Sequence, residues 1–187
     1  MQDQTYSRRG FFAAAIAGTA AAWVAAHARE IEAAARLGAT PGDPWIVLTP
    51  EQAATLDAAT AQIMPSDGSI GAREAHVVRF IDQSLATYMK EDAGRLAPLL
   101  AQLEATTKET VPAAASFVAC TSEQQVLVLQ ALERSHPDQF GPLRMLTMVG
   151  MFSNPSYGGN FEKCGWKLLG FEDKFFWTPP FGAYDRV

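Results

Sequence analysis

The sequence predicts a mainly α-helical protein, with about five helices in one compact domain and an irregular, aromatic-rich C-terminal tail. Three observations lead there. Apolar residues between positions 49 and 151 recur at spacings of three and four, the period of a helix face. Capping signals stand where those runs begin. Strand–helix alternation and internal repeats are both absent, which argues against a parallel sheet or a solenoid. The division expected is residues 1–28 as an export signal, 29–151 as the helical domain and 152–187 as the tail.

The first thirty residues read as an address. Arg8 and Arg9 precede Gly10, Phe11 and Phe12, and residues 11–26 are apolar, nine of them alanine. Ala26, His27 and Ala28 then form a small-x-small cleavage pattern, which places the cut between Ala28 and Arg29. The paired arginines followed by Phe11 resemble a twin-arginine export signal. The apolar run is marginal against the ~20 residues of a membrane span; the alternative to an export signal is a short retained membrane anchor. The twin-arginine route carries folded proteins, often with a cofactor already inserted, so it implies a cofactor in this chain or in a folded companion.

Thr49, Pro50 and Gln52 supply an N-cap, a proline at the first helical position and a capping-box glutamine. Leu56, Ala59 and Ile63 share a face, and Pro65 ends that helix. Residues 65–68 read as a turn. A second helix is expected from Ala72, with Arg73 and Glu74 in its first turn and Val78, Ile81, Leu85 and Tyr88 along one face. Leu96, Leu99, Leu100 and Leu103 give a third, with Pro98 tolerated near its start. Thr121 or Ser122 caps a fourth through Gln124 or Gln125. A fifth runs from Pro137 to Met151, with Phe140, Leu143 and Val149 inward. The best strand candidate, residues 45–48, is only four residues long.

After Met151 the composition changes. Ten of the fifteen aromatics that follow residue 28 lie in residues 152–187, among prolines and glycines. Two readings of this tail stand side by side. It completes the core of its own domain, or its aromatics pack on another protein, since aromatics dominate binding hot spots.

Several chemistries are excluded. Lys plus Arg is 15 against 20 acids, a net charge of −5, which opposes nucleic-acid binding. Neither a dinucleotide-binding GxGxxG nor a haem-attaching CxxCH occurs. His76 and His136 are sixty residues apart, and no donor cluster suits zinc. Met145, Met148 and Met151 read as core or adaptable contact surface. Asp67, Glu74 and Asp82 form no evident pair. No catalytic, cofactor-binding or metal-binding residue is assigned. For Cys120 and Cys164 three states are open: a mutual disulfide closing a 45-residue loop, worth about 3–4 kcal/mol, an intermolecular disulfide, or two reduced buried thiols.

Two stretches carry a family resemblance. One runs Ile63, Met64, Pro65, Ser66, Asp67, Gly68, then Gly71, Ala72, Arg73, Glu74 and Ala75, into Val78, Arg79, Phe80, Ile81 and Asp82. The other is Asn154, Pro155, Ser156, Tyr157, Gly158, Gly159, Asn160, followed by Gly165, Trp166, Lys167, Leu168, Leu169, Gly170 and Phe171. With the twin-arginine signal, these resemble the gluconate 2-dehydrogenase subunit 3 family, the small subunits of membrane-associated flavin-dependent sugar dehydrogenases. The resemblance implies a large FAD-binding partner of the glucose–methanol–choline type and a multi-haem cytochrome c subunit. It also implies a small subunit that brings the export signal, engages the twin-arginine translocase and supports the partner's folding. The complex would be periplasmic and peripheral to the inner membrane, with no cofactor in this chain. Tyr157, Gly158, Gly159, Asn160, Trp166, Phe171, Phe175, Phe176, Trp177 and Phe181 are the expected partner-binding residues. The second reading is a free-standing periplasmic binding or structural module.

Overall fold

A computed structural model of the chain describes residues 44–174. Among the described residues there are six helices: α1 (Pro50–Ile63), α2 (Val77–Ala86), α3 (Ala93–Thr110), α4 (Ser122–Ser135), α5 (Pro137–Phe152) and the short α6 (Cys164–Leu168). Single 3-10 turns stand at Lys90–Asp92, Pro155–Tyr157 and Phe161–Lys163. No strand occurs among the described residues. The mainly α class is therefore as the sequence predicts, with α6 added to the five expected helices.

The capping chemistry settles two starts. Thr49 and Gln52 form the reciprocal box at α1, and Thr121 and Gln124 form the same box at α4. Each box satisfies two backbone donors that a helix start leaves open. His136 is both the last cap of α4 and the first of α5, and Pro137 occupies the first helical position of α5. The α4–α5 hairpin therefore has no linker.

The core forms around α2. Helix α1 packs on α2, α4 and α5, α2 packs on α5, and α3 packs on α4. Eight of the ten α2 residues are buried, among them Phe80 and Ile81. A helix buried on nearly every side must satisfy its polar groups internally. Ser84 Oγ donates to the Phe80 carbonyl at 2.6 Å, and Thr87 Oγ1 donates to the Gln83 carbonyl at 2.7 Å. Asp82 is 1% exposed. Its carboxylate accepts the backbone N–H groups of Ile46 (2.8 Å), Val47 (2.9 Å) and Leu48 (3.0 Å).

That last contact corrects two expectations. Residues 45–48 are not a strand but an extended entry segment whose donors point at one carboxylate. Asp82 is likewise not a scattered acid, because it latches the segment preceding α1 to the central helix. Arg79 reinforces the latch, donating to the Pro44 carbonyl at 3.3 Å and lying 3.9 Å over the Trp45 ring.

The second helix starts at Val77 rather than Ala72. Residues 72–76 form a turn instead. Glu74 is thus not in a first helical turn, and its carboxylate accepts from Ser66 Oγ (2.7 Å) and Gly71 N–H (2.9 Å). These bonds, Ser66 foremost, hold its pKa below the usual carboxylate range. His76 then takes a left-handed conformation, φ 56°, and α2 begins at the next residue.

Candidate functional site

The segment after α5 returns to the domain through unusually close backbone contacts. Gly150 lies where α5 crosses α2, and a Cβ there would be 3.0 Å from both Phe80 and Val77. The Gly150 carbonyl accepts the Asn160 N–H at 2.8 Å. A Cβ on Gly159 would overlap that carbonyl, and one on Gly165 would overlap the Met151 carbonyl. Gly158 has φ +93°. The glycines therefore serve two different needs: Gly158 a left-handed turn, Gly159 and Gly165 close approach.

Asn160 organises this junction. It is fully buried and left-handed, φ 45°, a conformation asparagine tolerates better than most residues. Its Nδ2 donates to the Ser153 carbonyl at 2.8 Å. Its Oδ1 accepts the Gly165 N–H at 2.8 Å and the Trp166 N–H at 3.4 Å. One side chain thus joins the end of α5 to the start of α6. Trp166 adds a second tie, Nε1 donating to the Phe152 carbonyl at 2.8 Å. Phe171 meets Trp166 edge-on, with ring centroids 5.3 Å apart.

Among the described residues, the non-glycine positions with positive φ are His76, Asn160, Glu162 and Lys163. All four meet at this junction, because Phe161 stacks on His76 at 4.2 Å and its N–H reaches the Ala75 carbonyl. Such conformations persist where the surroundings over-determine them, and they gather at functional sites. Burial, with Arg79 adding to it and Glu162 opposing, holds the His76 pKa below its ordinary value.

The strained junction carries an apolar edge. Phe161 is 41% exposed, Leu168 43%, Leu169 65% and Phe171 47%. Four large apolar side chains open to solvent within eleven residues form a patch, and such patches mark interaction sites. The edge is held rigidly by Asn160 and Trp166, as a preorganised binding surface requires.

The expected partner-binding residues divide. Tyr157, Trp166 and Phe171 lie on the junction, with Phe171 exposed and the other two half-buried. Gly159 and Asn160 are buried, so they shape the surface from beneath. Phe175, Phe176, Trp177 and Phe181 lie outside the described residues, as do Arg8, Arg9, Phe11, Ala28 and Arg29. Cys120 and Cys164 are free, buried thiols. Burial raises both pKa values, with Glu104 adding to the effect at Cys120. Among the described residues no group of three or more His, Cys, Asp or Glu side chains could hold a metal. No helix among them is long and apolar enough to cross a membrane.

Sequence reasoning missed Leu168 and Leu169. Leu168 is the last residue of α6 and Leu169 its cap, and nothing in the sequence marks the pair as exposed. It also missed Gly150, whose position inside a helix was the cue to close packing.

A family model described as gluconate 2-dehydrogenase subunit 3 matches residues 50–173. The chain belongs to that family. The match opens on the first residue of α1 and closes just beyond Phe171, so it takes in all six helices and the whole junction. Membership in the gluconate 2-dehydrogenase subunit 3 family makes this chain a subunit of a dehydrogenase complex. No curated protein and no solved structure matches the chain significantly.

Proposed function

We propose that this chain is a non-catalytic small subunit that escorts and stabilises the large flavoprotein of a periplasmic sugar or sugar-acid dehydrogenase. The large subunit, of the glucose–methanol–choline oxidoreductase type, holds FAD and oxidises the sugar. A multi-haem cytochrome c subunit carries the electrons onward. The small subunit supplies the twin-arginine signal around Arg8, Arg9 and Phe11, loses residues 1–28 after export, and stays with the partner at the periplasmic face of the membrane.

The observation that carries this reading is the exposed apolar edge of Phe161, Leu168, Leu169 and Phe171 on a strained junction inside the family-matched region. Trp166 backs that edge, meeting Phe171 edge-on. An apolar surface held open at a conformational cost is understandable if another protein covers it, because covering it recovers about 25 cal/mol for each Å² removed from water.

The export half of the proposal is tested by replacing both arginines, Arg8→Lys and Arg9→Lys, and fractionating cells that also carry the large subunit. The expected result is both proteins retained in the cytoplasm, with FAD-dependent sugar oxidation absent from the periplasm. Normal export of the large subunit would remove the escort role.

A further inference from the structure

The C-terminal half of α5 carries an open apolar stripe. Met145 is 63% exposed, Met148 39% and Val149 40%. With Phe152 they stand at positions i, i+3, i+4 and i+7, one line along the helix. At Met145 the stripe borders a groove between α2, α3 and α5, lined also by Leu85, Met89, Leu96, Leu99 and Leu146. At Phe152 it meets the junction, because the Phe152 carbonyl accepts from Trp166 and Trp166 packs against Phe171. The two ends are seven residues apart, about 10 Å along the helix. The groove, the stripe and the apolar edge of the junction therefore form one continuous surface.

Area decides what such a surface can hold. A wholly open large side chain offers about 180 Å², so the exposed fractions give the junction edge about 350 Å² and the α5 stripe about 250 Å². A permanent subunit interface buries at least about 1,000 Å² on each partner, roughly two-thirds of it apolar. The edge alone falls well short of that, and the edge and stripe together approach it. A second copy of this chain meeting the first through the α5 stripe alone would bury far too little. The chemistry of the occupant follows from the lining. Asp92 and Arg95 pair with each other at 2.9 Å beside the groove, so the partner has no charge to answer there. The groove holds about 180 Å³, below the ~300–1,000 Å³ of small-molecule sites, and that size suits one large side chain.

We propose that the large subunit covers the α5 stripe as well as the junction edge, laying an uncharged apolar segment over Met145, Met148 and Val149 and seating one large side chain in the groove. Methionines suit this role, because their unbranched thioethers adapt to a partner's shape and make favourable contacts with aromatic rings. The assignment rests on the escort reading and adds a second, separately removable part to its interface.

Two measurements on the full-length chain and its complex with the large subunit test it. In the first, a Met145→Asp, Met148→Asp variant should bind the large subunit about thirtyfold more weakly than the wild type, as loss of a buried interface anchor does. Leu127→Asp, at an exposed position on α4, should bind as the wild type does, and circular dichroism should be the same for all three. The second needs no variant. Methionine oxidation follows exposure, so under peroxide Met145 and Met148 should react about tenfold more slowly in the complex than in the chain alone, followed residue by residue by mass spectrometry. A large subunit that binds wild type and α5 variant equally, with methionines equally reactive free and bound, would overturn the assignment and leave the escort reading standing. A wild-type chain that binds no flavoprotein would overturn both. Protection already complete in the chain alone would also overturn it: a dimer on gel filtration would assign the face to a second copy, and a monomer to the chain itself.

Discussion

Asn160 is the residue on which the junction depends most, and its replacement separates two physical contributions. Asn160→Ala removes both acceptor bonds to the α6 amides and the donor bond to the Ser153 carbonyl. Gly165 is buried, so leaving its N–H without a partner costs about 1–3 kcal/mol. Losing the Ser153 bond adds about 1 kcal/mol. Alanine in the left-handed region adds about 1–2 kcal/mol more. The expected loss is therefore about 3–6 kcal/mol, a large part of the ~5–15 kcal/mol that holds a domain together. Asn160→Gly removes the same bonds without backbone strain, but loosens the unfolded chain by about 0.5–1 kcal/mol. Both variants should be strongly destabilised. In urea, with m about 2 kcal/mol/M for a domain of this size, the midpoint should fall by about 2 M. Circular dichroism at 222 nm follows the transition, and hydrogen exchange at the Gly165 amide reports the local loss. A glycine variant as stable as the wild type would refute the reasoning, because only the backbone conformation at 160 would then matter.

Three further outcomes follow from the same structure. Asp82→Ala should cost about 3–4 kcal/mol, because three backbone donors lose a charged acceptor, while Asp82→Asn should lose about half as much; limited proteolysis should release residues 44–48 first. Gly159→Ala should cost about 2–3 kcal/mol through overlap with the Gly150 carbonyl, whereas Gly141→Ala in α5, with no atom near the added Cβ, should stabilise by up to about 1 kcal/mol in thermal melts. His76 is held below its ordinary pKa of 6.5 by burial and Arg79 against Glu162, so the unfolded chain takes the proton first and stability should drop as pH falls through the window just below 6.5. His76→Asn, which keeps a residue tolerant of positive φ, should flatten that drop; an equal pH dependence in both proteins would rule out His76 as its source.

The helices were legible where local chemistry decides them. The Thr49–Gln52 and Thr121–Gln124 boxes mark their helix starts by side-chain bonds three residues apart, and sequence contains that spacing directly. The start of α2 was not legible. Ala72 to Ala75 look helical, but Glu74 is drawn back to Ser66 and Gly71, and His76 reverses its backbone. Those bonds depend on the turn before them, so propensity yields to tertiary context there. Asp82 was invisible for the same reason, since its partners lie thirty-four to thirty-six residues away. The Asn154 to Asn160 motif could be recognised as distinctive. Its purpose, a buried asparagine joining α5 to α6 around two glycine contacts, required the fold.

The most direct test of the central claim is co-purification of the tagged full-length chain with its complex from membranes and periplasm. The wild type is compared with a Leu168→Asp, Leu169→Asp variant. These leucines are exposed, so the variant should fold with unchanged circular dichroism. The expected result is a larger protein with flavin absorbance retained by the wild type and lost by the variant. A colourless single chain from the wild type, or equal retention of the flavoprotein by both, would contradict the proposed interface.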